Sequence, residues 1–267
     1  MAVLITGAAR GQGRAHAEKL SACGADTILV DLAGPLPPCV PYDSATPDDL
    51  AQTARLVAAN GRRAHTAVMD TRDHDGMCRV VNEAVAELGR LDVIVANAGI
   101  CAPAPWDQVS AQDFQDVVDV NLVGTWNTVM AGVKHIIAGG RGGSVVVIGS
   151  AAAISMEPFM TAYAASKHAL TGLTKALAAE LGRHRIRVNC VHPGSVPTPM
   201  GSGRMVEAMS AASASNPQLR NGFSRQLIPD VITMPEDVAE AVAWLASGES
   251  RSVTAAALSI DVGAAAG

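Results

Sequence analysis

A tyrosine and a lysine four residues apart, Tyr163 and Lys167, stand at the head of a segment with helical periodicity. Four residues is about one helical turn, so the phenol and the ammonium share a face. With two tyrosines and four lysines in the chain, that spacing arises by accident roughly 3% of the time. A free phenol, with a pKa of about 10, is a poor base near neutrality. An adjacent ammonium and a second cation at the site would favour the phenolate and tune it as an acid/base group. Two further polar residues stand where such chemistry needs them. Ser150 closes an apolar strand-like run, and Asn121 interrupts the apolar face of a long helical segment.

A second group begins near the first residue. Thr6-Gly7-Ala8-Ala9-Arg10-Gly11-Gln12-Gly13 follows an apolar run and opens a helical one. Glycines here allow a tight strand-to-helix turn, contact between backbone and a pyrophosphate, and close packing of helix on sheet. The helix N-terminus offers free N–H groups to the anion. Asp31 ends the next strand, 18 residues after Gly13, where a carboxylate accepts hydrogen bonds from an adenosine ribose. Its charge repels a 2′-phosphate and suits a free 2′-hydroxyl, which favours NAD over NADP. Arg10 pulls the other way, because a guanidinium in this loop could pair with that phosphate. Asp31 is given the greater weight, since it occupies the hydroxyl's own place.

Other chemistries lack their signal. The five cysteines are scattered without a Cys-x-x-Cys pair and read as small reduced hydrophobes, and no metal site is expected. There is no His-Glu-x-x-His, no Walker A lysine and no Gly-x-Ser-x-Gly elbow. A net charge of −5 with 3% aromatic residues argues against nucleic acid as a partner. No apolar run spans a bilayer and no signal peptide is visible, so no membrane association is expected and the cytoplasm is the expected compartment.

Positioning such groups takes a particular scaffold. Short apolar β-rich runs recur at 2–6, 27–31, 64–69, 93–96, 144–148, 187–191 and 258–262. Helical segments fall at 15–23, 48–59, 76–88, 111–138, 163–183 and 236–246. The second helix has Thr46 as N-cap, Pro47 next and Asp48 and Asp49 in its first turn, and Ser110 with Asp113 forms a capping box before the fourth. The alternation predicts an α/β fold: one doubly wound, Rossmann-type domain over 1–267, with a parallel seven-stranded sheet buried by helices on both faces. Two connections exceed simple turns. The stretch 32–45 holds four prolines just after Asp31 and is expected over the adenosine side, with 195–234 expected as the substrate-side loop.

The glycine loop, Asn97-Ala98-Gly99, Asn121, Ser150, Tyr163 with Lys167, and Pro193-Gly194 with Thr198 together resemble the single-domain short-chain dehydrogenase/reductases, in order and separation, over essentially the whole chain. The resemblance implies that Tyr163 is the general acid/base, that Ser150 holds the substrate oxygen, and that Lys167 binds the nicotinamide ribose while lowering the tyrosine pKa. Asn121 would position a water in a proton relay. Asp70 would reach the adenine with Thr71 beside it, Asn97 would shape the cleft with Ala98 and Gly99, and Val196 and Thr198 would meet the carboxamide. Leu32, Pro193, Gly194 and Met200 complete the expected cofactor contacts.

The wording of the glycine loop and the Pro-rich insertion are most similar to an actinobacterial subset that includes carveol dehydrogenases, often associated with the redox carrier mycofactocin. The tail departs from the family pattern, with Thr254-Ala255 and Gly263-Ala264 where Thr-Gly and Gly-Gly are usual. The expected activity is NAD-dependent hydride transfer between a secondary alcohol and its ketone. Apolar residues in the long loop (Met200, Met205, Met209, Leu219, Phe223, Leu227, Ile228) and after Ser150 (Met156, Phe159, Met160) favour an alicyclic or terpenoid alcohol. A 3-oxoacyl thioester reductase is the alternative, disfavoured by Asp31 because such reductases usually take NADP. A non-catalytic NAD sensor would be expected to lack Tyr163 or Lys167. Family resemblance and apolar outer helix faces predict a homotetramer.

Overall fold

The structure, a computed structural model, describes residues 1–222 and 226–266. Seven strands, β1 (Ala2–Thr6), β2 (Asp26–Asp31), β3 (Ala64–Val68), β4 (Val93–Ala96), β5 (Gly143–Ile148), β6 (Ile186–Pro193) and β7 (Ala257–Ile260), form one parallel sheet in the order β3-β2-β1-β4-β5-β6-β7. The order reverses beside β1 and β4, and in open parallel sheets ligands bind above the strand ends at such a point. Helices α1 (Gly11–Ala22), α2 (Pro47–Ala59), α3 (His74–Leu88), α4 (Ala111–Val118), α5 (Gly124–Gly139), α6 (Thr161–Leu181), α7 (Arg204–Ala214) and α8 (Pro235–Ala246) connect them. No helix among the described residues is long and apolar enough to cross a membrane.

The two-residue period of a strand divides the core. Leu4, Ile28, Ile94, Val145 and Val147 face the side of α3, α5 and α6, while Val3, Ile5, Leu29, Val95 and Val146 face that of α1, α2 and α8. Only the central strands are buried on both faces as expected. The edge strands β3 and β7 alternate between exposed and half-buried residues, because no neighbour covers their outer sides.

Two elements differ from the sequence reading. The helix expected over 111–138 is divided by a π-turn at Asp119–Val123, so α4 and α5 are separate helices. Thr125 Oγ1 donates to Asn121 O at 2.7 Å and Thr128 Oγ1 to Gly124 O at 2.7 Å, and such back-bonding loosens the ordinary helical ladder. The stretch 195–234 is not all loop, since it contains α7.

Candidate functional site

β1 turns into α1 at Gly7, whose φ is +66°, and a Cβ on Gly13 would lie 2.0 Å from Gly7 O. Only glycine permits that approach. The tip of β4 is tied to the same turn. Asn97 Nδ2 donates to Thr6 O at 2.9 Å, and Thr6 Oγ1 accepts from the N–H groups of Asn97 and Ala98, each at 3.2 Å. Helices α2, α3 and α4 begin with capping side chains, Thr46, Asp73 and Ser110. By contrast α1 has no side-chain cap and no acid in its first turn, so its N–H groups remain available to an anion. Gln12 Oε1 is buried beside them without a hydrogen-bond donor among the described residues. An uncapped N-terminus and an orphaned acceptor in a glycine cradle fit a dinucleotide.

The cleft above this loop spans about 1050 Å³, its open mouth included. Gly7, Arg10, Gly11, Gln12, Gly13, Asp31, Leu32, Asp70, Thr71, Asn97, Ala98, Gly99, Thr198 and Met200, all expected at the cofactor, line it. Tyr163, Lys167, Pro193, Gly194 and Val196, also expected there, are not among its lining residues. Gly194 packs against the segment after β7, where a Cβ would meet Asp261 Cα at 2.9 Å. Val196 is buried in the apolar cluster with Ala8 and Ala9. Asp31 accepts from Ala9 N at 2.9 Å and Ala33 N at 3.0 Å, one bond to each oxygen. Each oxygen keeps a lone pair for a ribose hydroxyl. Burial alone would raise the Asp70 carboxyl, but bonds to the Arg72 side chain, at 2.6 and 2.9 Å, and to its backbone N–H hold it below the usual range.

Arg10 is turned away from the phosphate role open to it. Its guanidinium donates to Ser44 O at 3.3 Å and to Asp43 O, so it holds the Pro-rich segment 32–45 to the glycine loop. That segment lines the cleft through Leu36, Pro37, Tyr42, Ser44 and Ala45. It then runs beyond the adenosine side. Tyr42 Oη accepts from Cys101 N at 3.2 Å, and Leu36 and Val40 pack with Ile100, Val117, Ala162 and Tyr163. Arg204 on α7 pairs with Asp43, joining the two long connections.

Tyr163 lies in the first turn of α6 and Lys167 one turn later, with Nζ 5.6 Å from the phenol ring centre. Lys167 is buried and donates to Ile148 O at 2.9 Å. Burial lowers its pKa to about 8. Burial also raises the Tyr163 phenol above its ordinary value, with Cys101 adding to the rise and a hydrogen bond with Ser150 opposing it. The lowering expected from the resemblance is therefore not produced by the side chains alone. Desolvation sets that direction, and a positive charge brought beside the phenol would oppose it.

Ser150 Oγ accepts from Ala152 N at 3.2 Å. Asn121, in the π-turn, accepts from Ile100 N at 2.8 Å and donates to Ile100 O at 2.9 Å and Ser166 Oγ at 3.0 Å. Both its amide N–H groups are used, so its side chain clamps the chain beyond β4 and has no donor left for a water. A Cβ on Gly99 would meet Asn121 Oδ1 at 3.2 Å and Lys167 Nζ at 3.5 Å, which sets the catalytic group directly against the cleft lining.

The apolar residues expected at a substrate divide. Met160 reaches this group, its sulfur 3.5 Å from Cys101 Sγ, whereas Met205 and Phe159 are core. Met156, Leu219, Leu227 and Ile228 are exposed, and Phe223 lies outside the described residues. The sequence reading missed Tyr42 and also His192, whose Nδ1 accepts from Ser150 N at 3.2 Å. The proline-rich context of Tyr42 was a signal, but nothing local pointed to the residue itself. Among the described residues no cluster could hold a metal ion.

A family model described as short chain dehydrogenase matches residues 1–207. A solved short chain dehydrogenase from Mycobacterium paratuberculosis bound to NAD is 59% identical, with a TM-score of 0.97 and coverage of 100% of this chain and 98% of that one. Carveol dehydrogenase from Mycobacterium avium in complex with NAD is 40% identical, with a TM-score of 0.89 and the same coverage. The (−)-trans-carveol dehydrogenase of Rhodococcus erythropolis is 39% identical over 265 residues, covering 97% of this chain and 95% of the relative.

Proposed function

The chain belongs to the short chain dehydrogenase family and is an NAD-dependent oxidoreductase, and from that footing we propose that it interconverts a secondary alcohol and its ketone, of the apolar alicyclic or terpenoid kind. The observation that carries the proposal is the grouping of Tyr163 with Ser150 and Lys167, the Lys167 ammonium lying behind Gly99 of the cleft lining. When bound, NAD supplies the hydride acceptor or donor. In oxidation Tyr163 takes the hydroxyl proton. Ser150, whose Oγ accepts from Ala152 N, turns its hydroxyl proton from Tyr163 to the substrate oxygen. Lys167 has one N–H on Ile148 O and two left for ribose hydroxyls. An apolar substrate is supported by Met160 beside the cluster and by the carveol dehydrogenases among the relatives.

The test is Tyr163→Phe, which keeps the ring and deletes the proton-transfer group. Turnover across a panel of secondary alcohols, carveol included, should fall by about 10²-fold or more while NAD still binds. Retention of a tenth of the native rate would reject the assignment.

We also infer that the segment 32–45 covers the adenosine end of NAD and slows its release. Its support is the anchoring by Arg10, Tyr42, Leu36 and Val40, together with four prolines that reduce the entropy lost on ordering. A cofactor held in this way would be reset by an external redox carrier of the mycofactocin type. The purified protein is expected to carry NAD through gel filtration, and replacement of 32–45 by a short Gly/Ser connection should release it. Elution of the native protein free of NAD would refute the cover.

A further inference from the structure

We propose that His192 is a positioning residue for Ser150; this rests on the reading of Ser150 as the group that holds the substrate oxygen. His192 is fully buried near the end of β6, on the α6 face that Cys190 also occupies. Its Nδ1 accepts from Ser150 N at 3.2 Å, so the neutral ring carries its proton on Nε2. That Nε2 is buried and has no hydrogen-bond partner among the described residues. An apolar side chain of similar size would avoid burying an unpaired donor, which leaves the bond to Ser150 as what the imidazole contributes.

The neighbouring geometry is built around the ring. A Cβ on Gly149 would lie 2.4 Å from His192 Nδ1 and 2.9 Å from Cys190 Sγ, so the strand end must be glycine for the imidazole to reach the next N–H. Gly149 N donates to Val191 O at 2.7 Å, and Ala152 N donates to Ser150 Oγ at 3.2 Å. Three contacts thus fix the approach to Ser150, its backbone and its hydroxyl. His192 supplies the middle one, from a strand that follows Ser150 by some forty residues of chain.

Three variants separate positioning from packing. His192→Leu keeps bulk and removes the acceptor. His192→Asn places Oδ1 near the position of Nδ1. Gly149→Ala displaces the ring. With the alcohol of the panel that turns over fastest, His192→Leu and Gly149→Ala are each expected to lower kcat by about tenfold or more. NAD affinity, followed by fluorescence titration, should stay within about twofold. The double variant should be no slower than either single one. His192→Asn is expected to recover most of the rate while melting no higher than His192→Leu, a reversal of rate and stability that a packing role would not give. Rates that simply follow the melting temperature would overturn the proposal. So would a native rate in His192→Leu beside a lost rate in Ser150→Ala. A native rate in Ser150→Ala would instead sink the parent reading, and this one with it.

Discussion

Asp31 carries two duties, and separating them sharpens its test. The carboxylate accepts from Ala9 N and Ala33 N as well as facing the cleft. Removal to alanine would loosen the glycine loop, so Asp31→Asn is the cleaner change. It loses the charge and keeps one acceptor oxygen, hence one of the two backbone bonds. With Arg10 held by Asp43 O and Ser44 O, that charge is the main discriminator at the ribose, and Asp31→Asn should erode the preference for NAD over NADP by about tenfold or more in kcat/KM. An unchanged ratio would return the choice to Arg10. His16 governs a different property. It is fully buried in α1, and desolvation lowers its pKa from 6.5 to about 3, against an opposing effect of Asn97. A folded pKa below the unfolded one means that the unfolded chain binds a proton first as pH falls. Stability from this group is therefore complete above pH 6.5 and declines toward pH 3, by about 1.4 kcal/mol per pH unit. Between pH 6.5 and 5 the native protein should lose about 2 kcal/mol more in urea unfolding than His16→Gln. Equal losses would show that the imidazole is not held neutral.

At the scale of elements, what was legible follows from how local the signal is. β1 and β4 are legible to the residue, and α2 to within one residue, because the Thr46 N-cap, Pro47 at the first position and the acids Asp48 and Asp49 mark the start. The π-turn was not legible, since one extra residue in a turn hardly disturbs an apolar period. The clamp that uses it joins Asn121 to Ile100, 21 residues away. Tyr42 to Cys101 and His192 to Ser150 span 59 and 42 residues, and no local pattern announces such pairs. Helix α7 begins at Arg204 after an N-cap glycine, Gly203, with no capping side chain, so nothing marked it off from its loop. The altered tail, visible in the sequence, gains a physical meaning here. Ala255 has φ +59°, a conformation that costs an L-residue about 1–2 kcal/mol. Its N–H donates to Val188 O at 2.8 Å, a bond that glycine would keep. Ala255→Gly should therefore stabilise by roughly 0.5–1 kcal/mol once the greater freedom of glycine in the unfolded chain is subtracted. A lower urea midpoint would contradict this.

For the whole molecule, the same separation of signals decides what surface is left over. The core was legible because both faces of the sheet are written in alternating strands, and α3, α5, α6 on one side and α1, α2, α8 on the other absorb them. The sequence predicts outer faces too apolar for a monomer on the helices around Asn121 and Tyr163, and the first of these carries Phe114, Val123 and Trp126 at 38%, 39% and 43% exposure, within the π-turn and on both sides of it. Large apolar side chains spaced along one pair of helices form a contiguous patch more easily than scattered ones, and such patches mark association sites. A helix pair is also self-complementary under a twofold axis, the commonest closed symmetry. Because the π-turn carries both Val123 and the Asn121 clamp, association on this face would brace the backbone that holds Ile100 against the cleft. This face accounts for pairing, and with the tetramer that the family resemblance implies the protein is expected to elute at micromolar concentration with about four times its 27.3 kDa chain mass by light scattering. Trp126→Glu, which sets a charge in the face, should shift that mass downward and lower kcat without displacing any group that touches substrate. A native protein that scatters as 27.3 kDa would reject the association. A dissociated Trp126→Glu variant with native kcat would reject the bracing alone.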